Sequence, residues 1–409
     1  MAEGAPQAIP AGEGAEQRFA PGSPRVLVAG ATGFAGALAA HLLWRHPRFE
    51  LAGVTGRSEV GRRLDDLYPR YRVPLTIEEL DLDGSDHGVN LGAGAQTGAD
   101  PGTRADSGMD LDAAVVAYPH AAAAPTVGAL RERGVRVVDL SADFRLSELA
   151  TYERWYGPHP RPELLGEAVY GLTELHRERI ASASIVANPG CYPTAAVLAL
   201  APLARAGLIA DVVIDAKQGI SGAGRTFDDT THLSMAGENI LPYKVAAHRH
   251  TPEIEEQLNR LAAMGPQGKL GKDAGSVACS ARERPRTPIQ RSHAGSWLAV
   301  QFQAHLVPLD QGELASCYVT PTRAVGEAEL RELYEDAYRS EPFVEVVGTP
   351  PGTREVYATN YCRLFAAADS HTGKVLVFSA IDNLWKGTSS QAVQNLNLMF
   401  DLPETEGLL

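Results

Sequence analysis

Residues 25–46 constrain the fold more than any other part of this chain. The apolar run Arg25-Val26-Leu27-Val28-Ala29 passes directly into Gly30-Ala31-Thr32-Gly33-Phe34-Ala35-Gly36, and a helical pattern follows over 36–46. A buried strand that turns through glycines into a helix is the opening unit of a parallel, doubly wound sheet. Glycines at this spacing let the backbone approach a pyrophosphate, whose charge settles on the N–H groups at the helix start. Gly30, Thr32, Gly33, Phe34 and Gly36 are therefore candidate dinucleotide-binding residues, set against a purely structural glycine turn.

The unit repeats. Apolar strands are expected over 49–54, 113–117 and 135–140, with a helix over 121–133. The end of the second strand selects the dinucleotide. An NAD site places Asp or Glu there for the ribose hydroxyls, but this chain reads Val54-Thr55-Gly56-Arg57-Ser58. A guanidinium with a neighbouring hydroxyl suits a 2′-phosphate, so Arg57 and Ser58 favour NADP (NADPH). The alternative is that Arg57 is only a surface charge.

After residue 191 the pattern changes. Strands are expected over 211–216, 297–307, 314–320, 343–347, 361–368 and 375–380, with helices over 252–263 and 327–340. That composition implies an α+β domain with a mixed or antiparallel sheet. A last helical pattern, 384–400, is apolar enough to pack back onto the first domain. The expected organisation is a disordered tail (1–24), a Rossmann-type NADP-binding α/β domain (25–190 plus 382–409, with a loop insert at about 84–110) and a catalytic and oligomerisation domain (191–381). A further polar loop is expected over 265–295.

A net charge of −13 argues against nucleic acid or an anionic membrane as the partner, and leaves an anionic small molecule open. No run of about 18 apolar residues suggests a membrane span, and residues 1–24 lack the apolar core of a signal peptide. The four cysteines are scattered without a CxxC pair, which excludes the usual zinc spacings and suits a reducing, cytoplasmic setting.

One cysteine stands apart. Asn188-Pro189-Gly190-Cys191-Tyr192-Pro193 puts Cys191 on a sharp turn before a helical pattern over 194–206, with Pro193 suited to the first helical position. Facing a helix N-terminus, the thiol is expected to favour the thiolate and act as nucleophile. Cys279, Cys317 and Cys362 read as inert. The nucleophile needs a base, and His248-Arg249-His250-Thr251-Pro252-Glu253 offers two histidines before a helix that Thr251 is expected to cap. His248 is preferred, His250 stays open, and no third ligand accompanies them to make a metal site. Ser221 and Arg225, in Gly219-Ile220-Ser221-Gly222-Ala223-Gly224-Arg225, suit a phosphate or carboxylate, against a merely flexible turn. Arg145 is a candidate carboxylate clamp, against a structural Asp143–Arg145 interaction.

Taken together, GATGFAG at 30–36, DLSADFRL at 139–146, ANPGCYPTA at 187–195, GISGAGR at 219–225, HRHTPEI at 248–254, HLVPLDQGELAS at 305–316 and IDNLWKGTSSQAVQNLNLMF at 381–400 resemble the N-acetyl-γ-glutamyl-phosphate reductases of arginine biosynthesis. The resemblance implies a fold like that of glyceraldehyde-3-phosphate and aspartate-semialdehyde dehydrogenases. It implies Cys191 as the catalytic cysteine, an acid/base histidine in the HRH motif, Asn383 near the nicotinamide, and a homo-oligomer, tetramer or dimer. Family members often carry Ser where Gly56 stands and Gly where Ala247 stands. The implied reaction reduces an acyl phosphate through a cysteine thioester. Close rivals share that chemistry: an aminoadipyl-phosphate reductase or an aspartate-semialdehyde dehydrogenase. A cysteine hydrolase and an NADP-sensing protein are the readings from other classes.

Overall fold

The computed structural model of the chain describes residues 22–81, 89–90, 110–225, 229–265 and 297–409. Nearly all of the 1–24 tail, most of the 84–110 insert, most of the 265–295 loop and Cys279 lie outside the described residues.

The first sheet has seven strands, β1 (Arg25–Ala29), β2 (Glu50–Thr55), β3 (Ile77–Glu78), β4 (Ala113–Val116), β5 (Arg136–Asp139), β6 (Ala168–Tyr170) and β7 (Ile185–Ala187), in the order β3-β2-β1-β4-β5-β7-β6. Every pair is parallel. Such strands are covered on both faces and so read as continuous apolar runs. In β1, Val26 and Val28 join one core, which includes Ala37, Leu38 and Leu43 of helix α1 (Phe34–Trp44). Leu27 and Ala29 join the opposite core, with Ala124, Val127 and Leu130 of α2 (Ala123–Glu132).

Between β5 and β7 lie two helices that the pattern did not announce, α3 (Leu149–Tyr156) and α4 (Thr173–Ala181), along with edge strand β6. A three-residue strand is too short to show periodicity, and α4 is broken by non-helical φ/ψ at His176.

The second sheet is mixed. Strands β8 (Ile209–Gly219), β9 (Leu241–Tyr243), β10 (Val300–Val307), β11 (Glu313–Pro321), β12 (Val344–Val346), β13 (Cys362–Asp369) and β14 (Lys374–Ile381) run in the order β9-β10-β8-β11-β14-β13-β12. The pairs β8/β10 and β12/β13 are parallel, and β9/β10, β8/β11, β11/β14 and β13/β14 are antiparallel. One face carries α5 (Cys191–Arg205), α6 (Thr251–Met264) and α7 (Glu327–Tyr338). Helix α5 is buried continuously from Tyr192 to Ala204, as expected for an element apolar all round.

The chain then returns. Ala392, Val393, Leu396 and Met399 of α8 (Ser390–Met399) enter the core of the first sheet. The single helix expected over 384–400 instead opens with a π-helical turn, Trp385–Ser389. Gly387 in that turn lies so close to α5 that an added Cβ would meet Cys191 Cβ at 2.8 Å. The widened turn thereby brings the returning C-terminal segment against Cys191, and π-turns are frequent at functional sites.

Candidate active site

The glycine turn is built for close approach. Gly30 has φ +95°, and a Cβ on Gly36 would lie 2.2 Å from the Gly30 carbonyl oxygen. Helix α1 begins at Gly33 without a side-chain cap or acidic first-turn residue, which leaves its N–H groups to a bound anion. Thr32 sits beside the end of β2, where a Cβ on Gly56 would meet its methyl group at 2.6 Å. Arg57 and Ser58 are exposed, and the Arg57 guanidinium lies 4.8 Å from the Tyr118 ring centroid. The residues present therefore fit a dinucleotide.

A cavity of about 290 Å³ runs from this turn to Cys191. Gly33, Phe34 and Gly36 line one end, and Cys191, Gln218, Ser221, Arg225, His250 and Asn383 line the rest. The two halves of the molecule thus bring a phosphate cradle and a thiol to one space.

Cys191 is the first residue of α5, with Gly190 as its extended N-cap (φ −69°, ψ 157°). Pro193 is consequently third in the helix, still among the first four residues, whose N–H groups have no partner within a helix. The expected thiolate is not what the surroundings favour. Burial, and then the neighbouring Glu313 carboxylate, push the thiol well above its ordinary value, while a hydrogen bond from Gln218 Nε2 at 2.9 Å opposes them.

The histidines separate. His250 lines the cavity, and its Nε2 would lie 2.6 Å from a Cβ on Gly190. His248 stands behind it, packed edge-on against Tyr192, Tyr243 and Phe302. They do not alternate along an extended strand: the His250 N–H donates to His248 Nδ1 at 3.2 Å in a tight turn. Burial holds both rings neutral, His248 down to about 3 and His250 well below its ordinary value, with His248 and Arg145 adding to the effect on His250. Thr251 is the first residue of α6 rather than its cap; His250 takes the cap position, without a side-chain bond. The positive φ near this motif falls on Lys244 and Ala246, not on Ala247.

Arg145 lines the cavity but is mostly committed. Its Nε donates to the Asn188 carbonyl and its Nη2 to the Leu140 carbonyl, both at 2.7 Å, while Nη1 lies 3.5 Å from Glu253. Asp143, the other partner considered for it, instead accepts the Ala121 and Ala124 N–H groups at the start of α2 and the Tyr152 hydroxyl. Ser221 donates to the Asp310 carbonyl and accepts from Asn383 Nδ2 at 3.1 Å. Arg225 reaches across to the glycine turn, with Nη2 on Glu59 at 3.0 Å and Nη1 on the Thr32 carbonyl at 3.4 Å.

Residues 25–183 match the family described as "Semialdehyde dehydrogenase, NAD binding domain". Residues 191–269 and 289–383 match "Semialdehyde dehydrogenase, dimerisation domain". The N-acetyl-gamma-glutamyl-phosphate reductase of Desulforudis audaxviator is 44% identical over 393 residues, covering 94% of this chain and 98% of that protein. The chain belongs to the N-acetyl-gamma-glutamyl-phosphate reductase family. The reductase of Moorella thermoacetica agrees, at 42% identity over 93% of this chain and 96% of its own. Among solved structures, aspartate semialdehyde dehydrogenase II of Vibrio cholerae, complexed with ASA, superposes with a TM-score of 0.62 at 16% identity, covering 93% of this chain and 98% of that one. The aspartate semialdehyde dehydrogenase of Candida albicans, with NADP, gives 0.58 at 15% identity, covering 92% and 98%. Both share the reductase family's fold.

Three residues around the cavity and the thiol were not singled out by the motif reading: Gln218, Glu253 and Glu313. Gln218 precedes the glycines of 219–225, and Glu253 lies inside the quoted HRHTPEI segment, so both were adjacent to recognised signals. Glu313 lies inside the quoted HLVPLDQGELAS segment, but its place beside the thiol follows from strand pairing, as the cross-strand neighbour of Gln218.

Proposed function

We propose that this chain reduces N-acetyl-L-glutamyl 5-phosphate to N-acetyl-L-glutamate 5-semialdehyde with NADPH, releasing phosphate. The observation that carries the reading is the shared cavity, in which Cys191 and the glycine turn of α1 line one wall system. A hydrolase has no use for that turn.

Cys191 Sγ attacks the acyl carbon, and the phosphate leaves with the C–O bonding pair, forming a thioester on the chain. NADPH, when bound, supplies the hydride that reduces the thioester. Backbone N–H groups at the start of α5 face the oxygen that gains charge. The placement of His250 at Gly190, rather than the buried setting of His248, supports His250 as the proton donor to that oxygen. Neutral at rest, the ring takes a proton from solvent as that oxygen gains charge, passes it to the oxygen, and takes it back when the thiohemiacetal collapses. Ser221 is held by Asn383, so both present fixed polar atoms to the phosphate side of the cavity. Arg225 exchanges an exposed carboxylate partner for phosphate at little cost. Arg145 contributes one nitrogen and its charge to the substrate carboxylate, not a fork.

Arg57, free of an acidic residue at the position where NAD sites carry one, supports NADPH over NADH. We also infer a homo-oligomer built on the face of the second sheet away from α5. There Val213, Tyr318 and Leu376 stand in one cross-strand row, and Phe365 stacks on Phe378. Among the described residues, no helix is long and apolar enough to cross a membrane. A thiol nucleophile and NADPH together fit the cytoplasm.

The test is the reverse reaction: reduction of NADP by N-acetylglutamate semialdehyde, with and without inorganic phosphate. Phosphate-dependent NADPH formation supports the proposal. A chain that binds NADP but forms none under either condition contradicts it.

A further inference from the structure

The mechanism above leaves one buried acid without a task. Glu313 is fully buried at the start of β11, and neither carboxylate oxygen has a hydrogen-bond partner that meets ordinary geometry. Its register explains where it points. Glu313 pairs with Gln218 across the antiparallel β8/β11 ladder, so the two side chains leave the sheet on the same face. Gln218 donates to Cys191 Sγ at 2.9 Å, and the Glu313 carboxyl lies against the same thiol. Cys191 therefore rests on a cross-strand Gln/Glu pair beneath the first turn of α5.

An unpaired buried carboxylate is expensive, and so is an isolated buried thiolate. One proton shared between the two lets only one of them carry charge at a time. We propose that Glu313 is the proton acceptor for Cys191, making a Cys–Glu dyad that activates the nucleophile of the reductase reaction.

The step balances within the chain. The S–H bond breaks, its electron pair stays on sulfur, and the proton forms an O–H bond on the Glu313 carboxylate. The dyad carries one negative charge before and after. When sulfur becomes esterified, Glu313 keeps the proton, so neither group is left charged in the interior while an anionic substrate occupies the cavity. When the aldehyde leaves, sulfur regains the C–S pair, and Glu313 returns the proton to it. Gln218, a neutral donor, holds the thiolate in the interval. His250 stays with the carbonyl oxygen, on the Gly190 side of the sulfur. Among the described residues, the titratable groups bearing on Glu313 are Cys191, Asp382, Tyr192, Tyr243 and Cys362, none of them basic. Burial first, with Asp382 adding to it, raises the carboxyl well above its ordinary value, toward that of a thiol partner.

The assignment of a role in turnover rests on the reductase reading; the dyad itself does not. The test is the rate of Cys191 alkylation by iodoacetamide across pH, with turnover measured separately. A shared proton makes the thiolate fraction constant between the two macroscopic ionisations of the pair, so the native profile should show a plateau. Glu313→Gln should abolish the plateau, leaving a rate that climbs about tenfold per pH unit, and lower kcat by about 10²–10⁴-fold. His250→Asn should keep the plateau. A native profile without a plateau overturns the dyad, whether or not Glu313→Gln folds. So does a plateau that survives in Glu313→Gln or disappears in His250→Asn. If the native chain shows the plateau but no phosphate-dependent reductase activity, the functional reading fails and the dyad stands.

Discussion

Glu253 Oε1 accepts the Gly190 N–H at 3.0 Å, tying the turn beneath Cys191 to the helix that follows the two histidines. The same oxygen accepts the Tyr170 hydroxyl at 2.8 Å, and Oε2 faces Arg145. This carboxylate is buried, so its removal strands a buried cation and a backbone donor together. Glu253→Ala should lose about 3–5 kcal/mol of stability, read from urea unfolding, with a parallel fall in kcat. Glu253→Gln keeps an acceptor for Gly190 and should lose less. An alanine variant as stable as the native chain contradicts this role.

Arg57 is the test of cofactor choice. A charge-assisted contact to phosphate contributes about 1.5–3 kcal/mol, so Arg57→Ala should raise KM for NADPH about 10–100-fold and leave KM for NADH nearly unchanged. Equal effects on the two cofactors would count against a 2′-phosphate contact.

The glycine turn offers an internal control. A methyl group on Gly36 would meet the Gly30 carbonyl oxygen at 2.2 Å, whereas one on Gly33 finds its nearest neighbour at 3.9 Å. Gly36→Ala should weaken NADPH binding sharply in a fluorescence titration and cost about 1–3 kcal/mol through overpacking. Gly33→Ala should fold normally. Similar behaviour of both variants would mean that close approach is not what these glycines provide.

Stability should fall in acid for a reason located in the histidine turn. Burial lowers His248 from 6.5 to about 3, so the unfolded chain binds a proton that the folded chain refuses between those values. Stability from this source is fully present above about pH 6.5 and is lost as the pH drops toward 3. The full window is worth at most on the order of 5 kcal/mol, with His250 acting in the same direction. His248→Phe should flatten the dependence of the urea midpoint between pH 7 and pH 5. An unchanged slope would remove His248 as its source.

Much of this was legible in the sequence where signals are local. Strand β1 and its glycine turn were readable because a parallel strand is apolar throughout and only glycine tolerates the approach of Gly36 to Gly30. The place of Cys191 on a turn at the start of a helix was readable from the glycine and proline around it. The upward push on its thiol was not, because that depends first on burial and then on Glu313, a residue 122 positions away brought beneath the thiol by the β8/β11 register. The difference in setting between His248 and His250 was not legible for a related reason. Spacing of two suggests a common side, but the chain turns there, and Tyr192, Tyr243 and Phe302 enclose one ring while Gly190 exposes the other. Arg145 looked available as a clamp because its partners are backbone carbonyls, which no side-chain pattern reveals.

The central claim is a covalent acyl group on one sulfur. Incubating the chain with N-acetylglutamyl phosphate in the absence of NADPH, followed by acid quenching and intact-mass measurement, tests it directly. The account predicts one N-acetylglutamyl adduct per chain, mapped to Cys191, released by hydroxylamine and consumed when NADPH is added. No adduct in the native chain under conditions of full turnover, or an equal adduct in Cys191→Ser, would contradict it.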